Sequence, residues 1–468
     1  MSYNSKTSTR KDWLLYGYLT LVAWLPIPLG SKHPWAISIA EVWCYLIAAI
    51  IVLGWINKPH PAPHIFITAR FALALLCLNL VWLLLQCAPL PLPWLQTISP
   101  TAFSLYSQTG VDYASISLDR STTWYQFQVA AYLLIFFSVS LYLIDSKRKL
   151  TWLVYVILFS ALMQTMYGAM MVLSGIEHSF FISKADLHSH IGSATGTFTN
   201  RDHLAGYLEM ALALGIGFML TMLSNSSIRP RNWRQRLRQI SELLLGPKAR
   251  LRLVLVLLCA GLVLTQSRGG NLAFFISLGV AGIIFLLLAR EKPRATIIFL
   301  SSLIILDIIV MGSFIGVSKV MTRLGETTLI TEDRDDVYLA TYPMIKDYFI
   351  SGIGAGNYFN AFPSYKIPEL SGNWNHAHND YLEIMAEQGV IGFILLAGVV
   401  LFSIYTAIKV FRKRRYPFAL GMSFAALMGT IALLIHSALD FNLQILANSS
   451  MFMIILAIPF ICYNLKRQ

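Results

Sequence analysis

The stretch HAHNDYLEIMAEQGVIGF, residues 376–393, joins two kinds of sequence without a break. Its first residues are polar and titratable, and they run directly into an apolar segment that continues to about residue 405. An α-helix needs roughly 20 mostly apolar residues to cross a lipid bilayer, so this segment predicts a membrane-spanning helix. Ionisable groups at the mouth of such a helix are costly unless they are paired or functional, which makes the junction a candidate site.

The composition extends this prediction from one segment to the whole chain. Of the 468 residues, 56% are hydrophobic and 13% are charged, and the mean hydropathy is +0.62. A soluble domain carries about twice that charged fraction. The sequence therefore predicts an all-α polytopic membrane protein. Its five cysteines lie in or beside apolar runs without metal-ligand spacing, and we interpret them as small core residues.

Loop charges predict how the chain crosses the membrane. If the N-terminus is cytoplasmic, 26 of the 36 Lys and Arg residues fall on the cytoplasmic side and 10 on the other. Because cytoplasmic loops are enriched in Lys and Arg, this distribution predicts an even number of spans and two cytoplasmic termini. Twelve apolar runs are long enough, at about 13–29, 35–55, 71–88, 124–144, 151–174, 204–223, 251–266, 271–289, 296–317, 381–405, 417–438 and 444–464.

The net charge of +13 follows largely from this topology. The basic run RPRNWRQRLRQ, residues 229–239, lies in a predicted cytoplasmic loop. Such a loop attracts anionic lipid headgroups by its positive charge, so we expect membrane lipids and no nucleic acid as partners.

The predicted outward segments are unusually long. Residues 318–380 are rich in aromatic residues and glycine turns, which predicts a folded outward loop domain with short helices lying over the membrane. Two shorter outward loops are predicted near 89–123 and 175–203. The chain is thus divided into helices 1–9 (1–317), the loop domain (318–380) and helices 10–12 (381–468).

Three arginines lie where predicted helices meet water on the outward side: Arg201, Arg268 and Arg334. Any one of them could reach lipid headgroups with its long side chain. Arg268, in TQSRGG, is the strongest candidate for a ligand-binding arginine, because glycines allow close approach of a ligand and a helix is predicted to begin at Asn271. A guanidinium beside a helix N-terminus is suited to phosphate.

The histidines of the opening stretch suit proton transfer. Asp380 and Glu383 have the spacing of a capping box, which predicts a helix start at Asp380 and fixes His378 just before it. Neutral imidazole is a common general base near neutral pH, although a polar cap without chemistry is the alternative. His436 and Asp440, in HSALDFNLQ, are four residues apart and are expected to brace the site.

Metal and transport chemistry are the competing interpretations. Asp333 and Asp335 imitate the Asp-x-Asp pair of metal-dependent sugar transferases, but the intervening Arg334 would repel a cation. Asp307, inside a predicted span, is compatible with a transporter. Transporters bind near the middle of the membrane, whereas the polar residues here cluster on one face, which favours an enzyme.

The segments GTFTNRDHLAGYLEMAL, TQSRGG and HAHNDYLEIMAEQGVIG resemble signature segments of the bacterial O-antigen ligase and polymerase superfamily, and HSALDFNLQILAN is similar to many members. The resemblance implies a C-type glycosyltransferase-like fold and a saccharide donor on undecaprenyl diphosphate, used at the periplasmic face of the inner membrane. It implies His378 and Arg268 as catalytic residues and Arg268, Arg334 and Arg201 as diphosphate ligands. Asn379, Glu383, His376, His436 and Asp440 would support them, without metal or cofactor.

The resemblance leaves the acceptor open. Ligases use lipid A–core, polymerases use a second lipid-linked repeat unit, and related enzymes glycosylate proteins. The single dominant outward loop favours a ligase slightly. An O-antigen or exopolysaccharide polymerase, a protein O-oligosaccharyltransferase and, last, a lipid-linked sugar transporter are the alternatives.

Overall fold

The computed structural model describes residues 3–59, 63–175, 178–179, 182–183, 191–223, 246–290, 294, 296–303, 328–368, 370 and 372–465. Most of these residues are helical. The α-helices are Tyr3–Trp24, Pro34–Asn57, His64–Thr68, Arg70–Cys87, Leu92–Ile98, Pro100–Ser107, Arg120–Leu143, Lys147–Ser174, Arg201–Met222, Pro247–Leu264, Arg268–Leu288, Thr328–Asp347, Tyr358–Ala361, Asp380–Lys413, Pro417–Ser437 and Leu446–Asn464.

The remaining regular structure in this part of the chain is short. Two antiparallel pairs of two-residue strands join Leu90–Pro91 to Tyr113–Ala114 and His178–Ser179 to Ile182–Ser183. Single 3₁₀ turns are formed by Leu29–Ser31, Phe362–Ser364 and Asn442–Gln444.

Nine helices of the described chain are long and apolar enough to cross a membrane. This confirms the polytopic all-α class, since each of the nine coincides with a predicted span. The predicted runs 13–29 and 251–266 correspond to shorter or more polar helices, Tyr3–Trp24 and Pro247–Leu264. Run 296–317, with Asp307, lies mostly outside the described residues. The count of twelve and the orientation stay predictions.

Three helices form the centre of the bundle: Arg201–Met222, Pro417–Ser437 and Leu446–Asn464. Nearly every residue along each of them is buried. The helices around them expose large apolar side chains such as Leu46, Leu287 and Leu401. Apolar surface of this extent is expected where helices face lipid tails rather than water.

The helix Asp380–Lys413 is broken where the sequence predicts one continuous span. At Gly389 the backbone has φ 63° and ψ −172°, which is not helical. Residues 349–354 fill the break: Val390 donates to the carbonyl of Phe349 at 2.8 Å, and Ile353 donates to the carbonyl of Ala386 at 2.9 Å. A Cβ at position 389 would lie 2.3 Å from the oxygen of Ile350, so the crossing requires glycine.

A second, smaller hydrophobic core lies beside the main bundle. It unites side chains from two segments far apart in sequence, including Leu95 and Ile116 from one and Tyr348 and Phe362 from the other. The first segment falls in predicted loop 89–123 and the second in predicted loop 318–380. Their packing fixes the loop that enters the break in the Asp380 helix, and hence the start of that helix.

Candidate functional site

The site is organised by the turn of residues 436–445, which joins two central helices, Pro417–Ser437 and Leu446–Asn464. Asn379 donates to the carbonyl of Ala438 at 3.0 Å. Asp380, fully buried, accepts from the hydroxyl of Ser437 at 2.7 Å and from the backbone of Leu443 at 3.1 Å. These bonds join the start of the Asp380 helix to the turn, because a buried carboxylate must be hydrogen-bonded.

His378 is held at both its backbone and its ring. Its backbone has φ 50°, in the left-handed region that residues with a Cβ rarely adopt. The hydroxyl of Tyr338 donates to its carbonyl at 2.9 Å. The ring nitrogen Nδ1 lies 3.0 Å from Oδ1 of Asp440, and the ring meets Phe441 edge-on. About a fifth of the side chain is exposed (21%), so a substrate can reach it.

The charge on Asp440 decides which nitrogen of His378 carries the proton. Burial alone would raise the pKa of Asp440, but the hydrogen bond with His378 and the charges of His203 and the other imidazoles outweigh it. The pKa of Asp440 therefore lies well below its usual value, and the group is a carboxylate. A carboxylate only accepts hydrogen bonds, so Nδ1 of His378 donates, and in the neutral imidazole the lone pair lies on Nε2.

The predicted capping box is wrong, although the helix does begin at Asp380. The cap is Asn379, whose Oδ1 accepts from the backbone of Tyr381 at 3.0 Å and of Leu382 at 3.2 Å. Glu383 points instead to the preceding loop. It accepts from the backbone of Ala377 at 2.9 Å and lies 2.7 Å from Nδ1 of His376.

His376 is thus a partner of Glu383 and not of Asp440. Its ring stacks on Phe441 with centroids 4.1 Å apart. Burial lowers the pKa of His376, but the carboxylate of Glu383 raises it by more, so the net shift is upward. An imidazole that holds its proton more tightly is less often free to accept another at neutral pH, so His376 is the poorer candidate for a base.

Behind Asp440 lies a second layer of buried polar groups. Nδ1 of His436 is 3.2 Å from Oε1 of Glu209, and both side chains are almost fully buried. Nε2 of His203 is 3.9 Å from Oδ2 of Asp440. Among the described residues, Nε2 of both histidines and Oδ2 of Asp440 are buried without a hydrogen-bond partner. The second layer therefore places polar groups close to the carboxylate that orients His378.

Three buried side chains of the site are arranged as metal ligands would be. The donor atoms of Asp202, His436 and Asp440 lie within 4.8 Å of one another, and the bond from His436 to Glu209 is typical of metal-binding histidines. Arg334 approaches the same cluster, with Nη2 3.9 Å from Oδ2 of Asp202. Its guanidinium supplies positive charge to Asp202 where a cation would otherwise do so. The side chain of Asp333 lies outside the described residues.

The structure brings the predicted arginines to the same end of the bundle. Arg334 donates to the carbonyl of Leu439 at 3.1 Å. Arg201 is the first residue of its helix, one position before Asp202. Arg268 is exposed, and the two glycines that follow it lie against the ring of His436.

The predicted start of the Arg268 helix is wrong by three residues. The helix begins at Arg268 and not at Asn271, because Ser267 is the cap and its hydroxyl accepts from the backbone of Gly270 at 3.1 Å. Arg268 therefore stands in the first turn, where the free backbone amides of the helix can bind an anion.

Sequence reasoning missed Lys32, His203, Glu209 and Phe441. His203 and Glu209 are polar residues inside an otherwise apolar helix, which is a signal that sequence alone carries. Lys32 counted only as one outward charge. Phe441 contacts three imidazoles, those of His203, His376 and His378, and nothing in its sequence context indicates this.

Fold and site together define a multi-pass α-helical membrane protein with a His–Asp pair and arginines at one end of its helices. Residues 253–397 match the model of a family described as O-antigen ligase. Over these residues the match confirms the resemblance to the O-antigen ligase and polymerase superfamily, and it supports a membrane glycosyltransferase of the ligase or polymerase type. It includes Arg268, Arg334 and His378 and ends before Asp440. No curated protein matches the sequence.

Proposed function

We propose that this protein transfers a saccharide from an undecaprenyl-diphosphate donor to an acceptor hydroxyl at the periplasmic face of the inner membrane. The observation that carries the proposal is the pairing of His378 with Asp440 at the same turn that Arg334 contacts. Such a site brings a base and a cation to one turn of the chain, as glycosyl transfer from a lipid diphosphate requires.

His378 is the proposed general base. Its Nε2 accepts the proton of the acceptor hydroxyl while that oxygen forms a bond to the anomeric carbon of the donor. The bond from that carbon to the phosphate oxygen breaks, and its electron pair leaves with the lipid diphosphate. Attack from the face opposite the leaving group inverts the anomeric centre. Asp440 accepts the hydrogen bond from Nδ1 and stabilises the imidazolium that forms.

The arginines are the proposed binding groups for the diphosphate. Arg268 and Arg201 each begin a helix, and the starts of these two helices pack together, since a Cβ at Gly270 would lie 2.6 Å from Cβ of Ala205. The free backbone amides at such starts can bind the same anion as the arginines. Arg334 comes from the helix Thr328–Asp347. Guanidinium groups bind phosphate with paired hydrogen bonds and neutralise the charge that develops on the leaving group.

We further propose that the reaction needs no metal, because the arginines supply this positive charge. Arg334 already approaches Asp202 in the group formed by Asp202, His436 and Asp440. Turnover in the presence of a chelator tests the point. Unchanged turnover is expected, and a strong loss that added Mg²⁺ or Mn²⁺ restores would assign a metal to that group.

The most direct test of the function is reconstitution. Purified protein in lipid vesicles would be given an undecaprenyl-diphosphate saccharide and, separately, lipid A–core, a second lipid-linked repeat unit and a pilin-like protein. We propose lipid A–core as the acceptor, which makes the protein an O-antigen ligase. Transfer to the repeat unit alone would make it a polymerase, and transfer to the protein an oligosaccharyltransferase. Movement of the donor across the bilayer without transfer would indicate a transporter.

The two histidines provide matched variants for the base. His378→Ala should bind donor and turn over about 10²–10⁴-fold more slowly, because a general base contributes about that much. His376→Ala should be milder, since His376 is paired with Glu383. Equal, near-wild-type turnover of both variants would reduce His378 to a structural residue.

The arginines are tested by comparing two substitutions at one position. Arg334→Lys should be nearly as harmful as Arg334→Ala if paired hydrogen bonds to phosphate matter, because Lys carries the charge without the planar fork. Arg268 should behave in the same way. If neither Ala variant weakens donor binding or turnover, the arginines do not bind the diphosphate.

A further inference from the structure

The loop between the first two helices has an unusual backbone. Three successive residues, Leu29, Gly30 and Ser31, have φ of 55°, 69° and 54°. Only glycine adopts this left-handed conformation without strain, yet two of the three have side chains. Strained conformations of this kind persist only where the surrounding structure imposes them, and they are concentrated at functional sites.

The surrounding structure imposes this loop through buried contacts. The hydroxyl of Ser31 donates to the carbonyl of Leu25 at 2.6 Å, and the hydroxyl of Thr197 donates to the carbonyl of Pro26 at 2.6 Å. A Cβ at Gly30 would lie 2.6 Å from the ring of Phe198 and 3.2 Å from Ile445. The loop is therefore clamped between residues 197–198 and the end of the turn that organises the site.

Lys32 is the first residue after the three left-handed residues. Lys32 is exposed to solvent. Its positive charge acts on Asp440, His203 and His376, which lie in the same site. Within the described part of the chain, the ammonium has no carboxylate within ion-pair distance.

We propose that Lys32 is a binding residue for an oxyanion of a substrate, a phosphate or a carboxylate, beside the turn of residues 436–445, against whose last residue its loop packs. An ammonium is a compact point charge that suits such a group. The clamped loop fixes the backbone of Lys32, so little conformational entropy of the backbone is lost when the anion binds. The inference rests on the proposed function for the identity of the substrates.

Two sources would supply the same chemistry. One is the diphosphate of the donor, for which Lys32 would be a fourth cation beside the arginines. The other is an anionic group of the acceptor, such as a phosphate on lipid A–core. A lysine at a membrane surface can also reach lipid headgroups, and this is the competing explanation.

The test compares Lys32→Ala and Lys32→Arg with Lys346→Ala, an exposed lysine on a helix of the predicted periplasmic loop domain. All variants are reconstituted in phosphatidylcholine vesicles, which lack anionic headgroups. Binding of undecaprenyl diphosphate is measured at equilibrium. KM is measured for lipid A–core and for its dephosphorylated form. Thermal unfolding of each variant shows whether the loop remains folded.

A charge-assisted hydrogen bond contributes enough to change affinity by about 10-fold or more. Lys32→Ala should weaken binding of undecaprenyl diphosphate by that factor if the donor supplies the anion. It should raise KM for lipid A–core, but not for the dephosphorylated form, if the acceptor does. Lys32→Arg should restore much of the loss, and Lys346→Ala should match the wild type.

The proposal is overturned if Lys32→Ala matches the wild type in both measurements. It is also overturned if the variant differs only when anionic lipids are added, which would make Lys32 a headgroup anchor. Binding of undecaprenyl diphosphate does not depend on transfer. A wild type that binds it but transfers to none of the acceptors would therefore refute the proposed function and leave the donor half of the Lys32 test intact.

Discussion

Replacement of Asp440 by asparagine should remove the base without removing the histidine. In the wild type the ionised carboxylate accepts from Nδ1 of His378 at 3.0 Å, which leaves the lone pair on Nε2. The amide of asparagine has nearly the same shape but can donate a hydrogen bond. It would favour the other tautomer of His378, in which Nε2 carries the proton and cannot accept another.

The magnitude follows from the role of the base. Loss of general-base catalysis lowers the rate by about 10²–10⁴-fold, or about 2.7–5.4 kcal/mol in activation free energy. The upper end is expected here, because a wrong tautomer in the equivalent Asp→Asn change of serine proteases lowers kcat by about 10⁴-fold. Affinity for the donor should stay near the wild-type value, since the arginines are unchanged.

The assay is single-turnover transfer in vesicles, with donor binding measured separately. Asp112→Asn is the control, because Asp112 is an exposed aspartate in another predicted outward loop. Asp440→Asn and His378→Ala combined should be no slower than His378→Ala alone if Asp440 acts only through that ring. Wild-type turnover of Asp440→Asn, or an additive loss in the double variant, would refute the reasoning.

Three further predictions concern stability and topology. The raised pKa of His376 stabilises the folded state below about pH 6.5, and this stabilisation is lost as pH rises through the folded-state value. The unfolding temperature should therefore fall as pH rises above about 6.5, and the fall should be shallower in His376→Gln. Gly206→Ala should destabilise by about 1–3 kcal/mol, since its Cβ would lie 2.2 Å from Oδ1 of Asn442, whereas Gly279→Ala, which meets open space, should be neutral or slightly stabilising in thermal unfolding. Cysteines at Thr109 and Lys413, both exposed, should label from opposite sides of the membrane; labelling from one side contradicts the predicted topology.

Much of the fold follows from the sequence because membrane crossing is a one-dimensional constraint. Each segment must satisfy its own backbone hydrogen bonds in lipid, so length and hydropathy identify a span without knowledge of its neighbours. The helix that begins at Asp380 was predictable in this way. Its break at Gly389 was not, because the hydrogen bonds that fill it come from residues 349–354.

The candidate residues divide in the same manner. Arg268, Arg334 and His378 stand out locally, because polar groups beside apolar runs are conspicuous in any sequence. Their partners depend on three-dimensional packing: the residue paired with His378 is 62 positions away, and Glu209 is 227 positions from His436. Sequence spacing pointed to a capping box at Asp380 and Glu383. Asp380 instead accepts hydrogen bonds from the distant Ser437 and Leu443, and Glu383 bonds to the loop that precedes its own helix.

The sequence by itself determined that this protein is a helical membrane protein with cationic and imidazole groups at helix ends, because burial in lipid is read from each segment alone. Only the tertiary structure decided which carboxylate each of these histidines meets, and that the first loop packs against the turn that carries Asp440. Hydrogen bonds and charge interactions act over a few ångströms, and it is the packing of distant segments that brings these groups within that range.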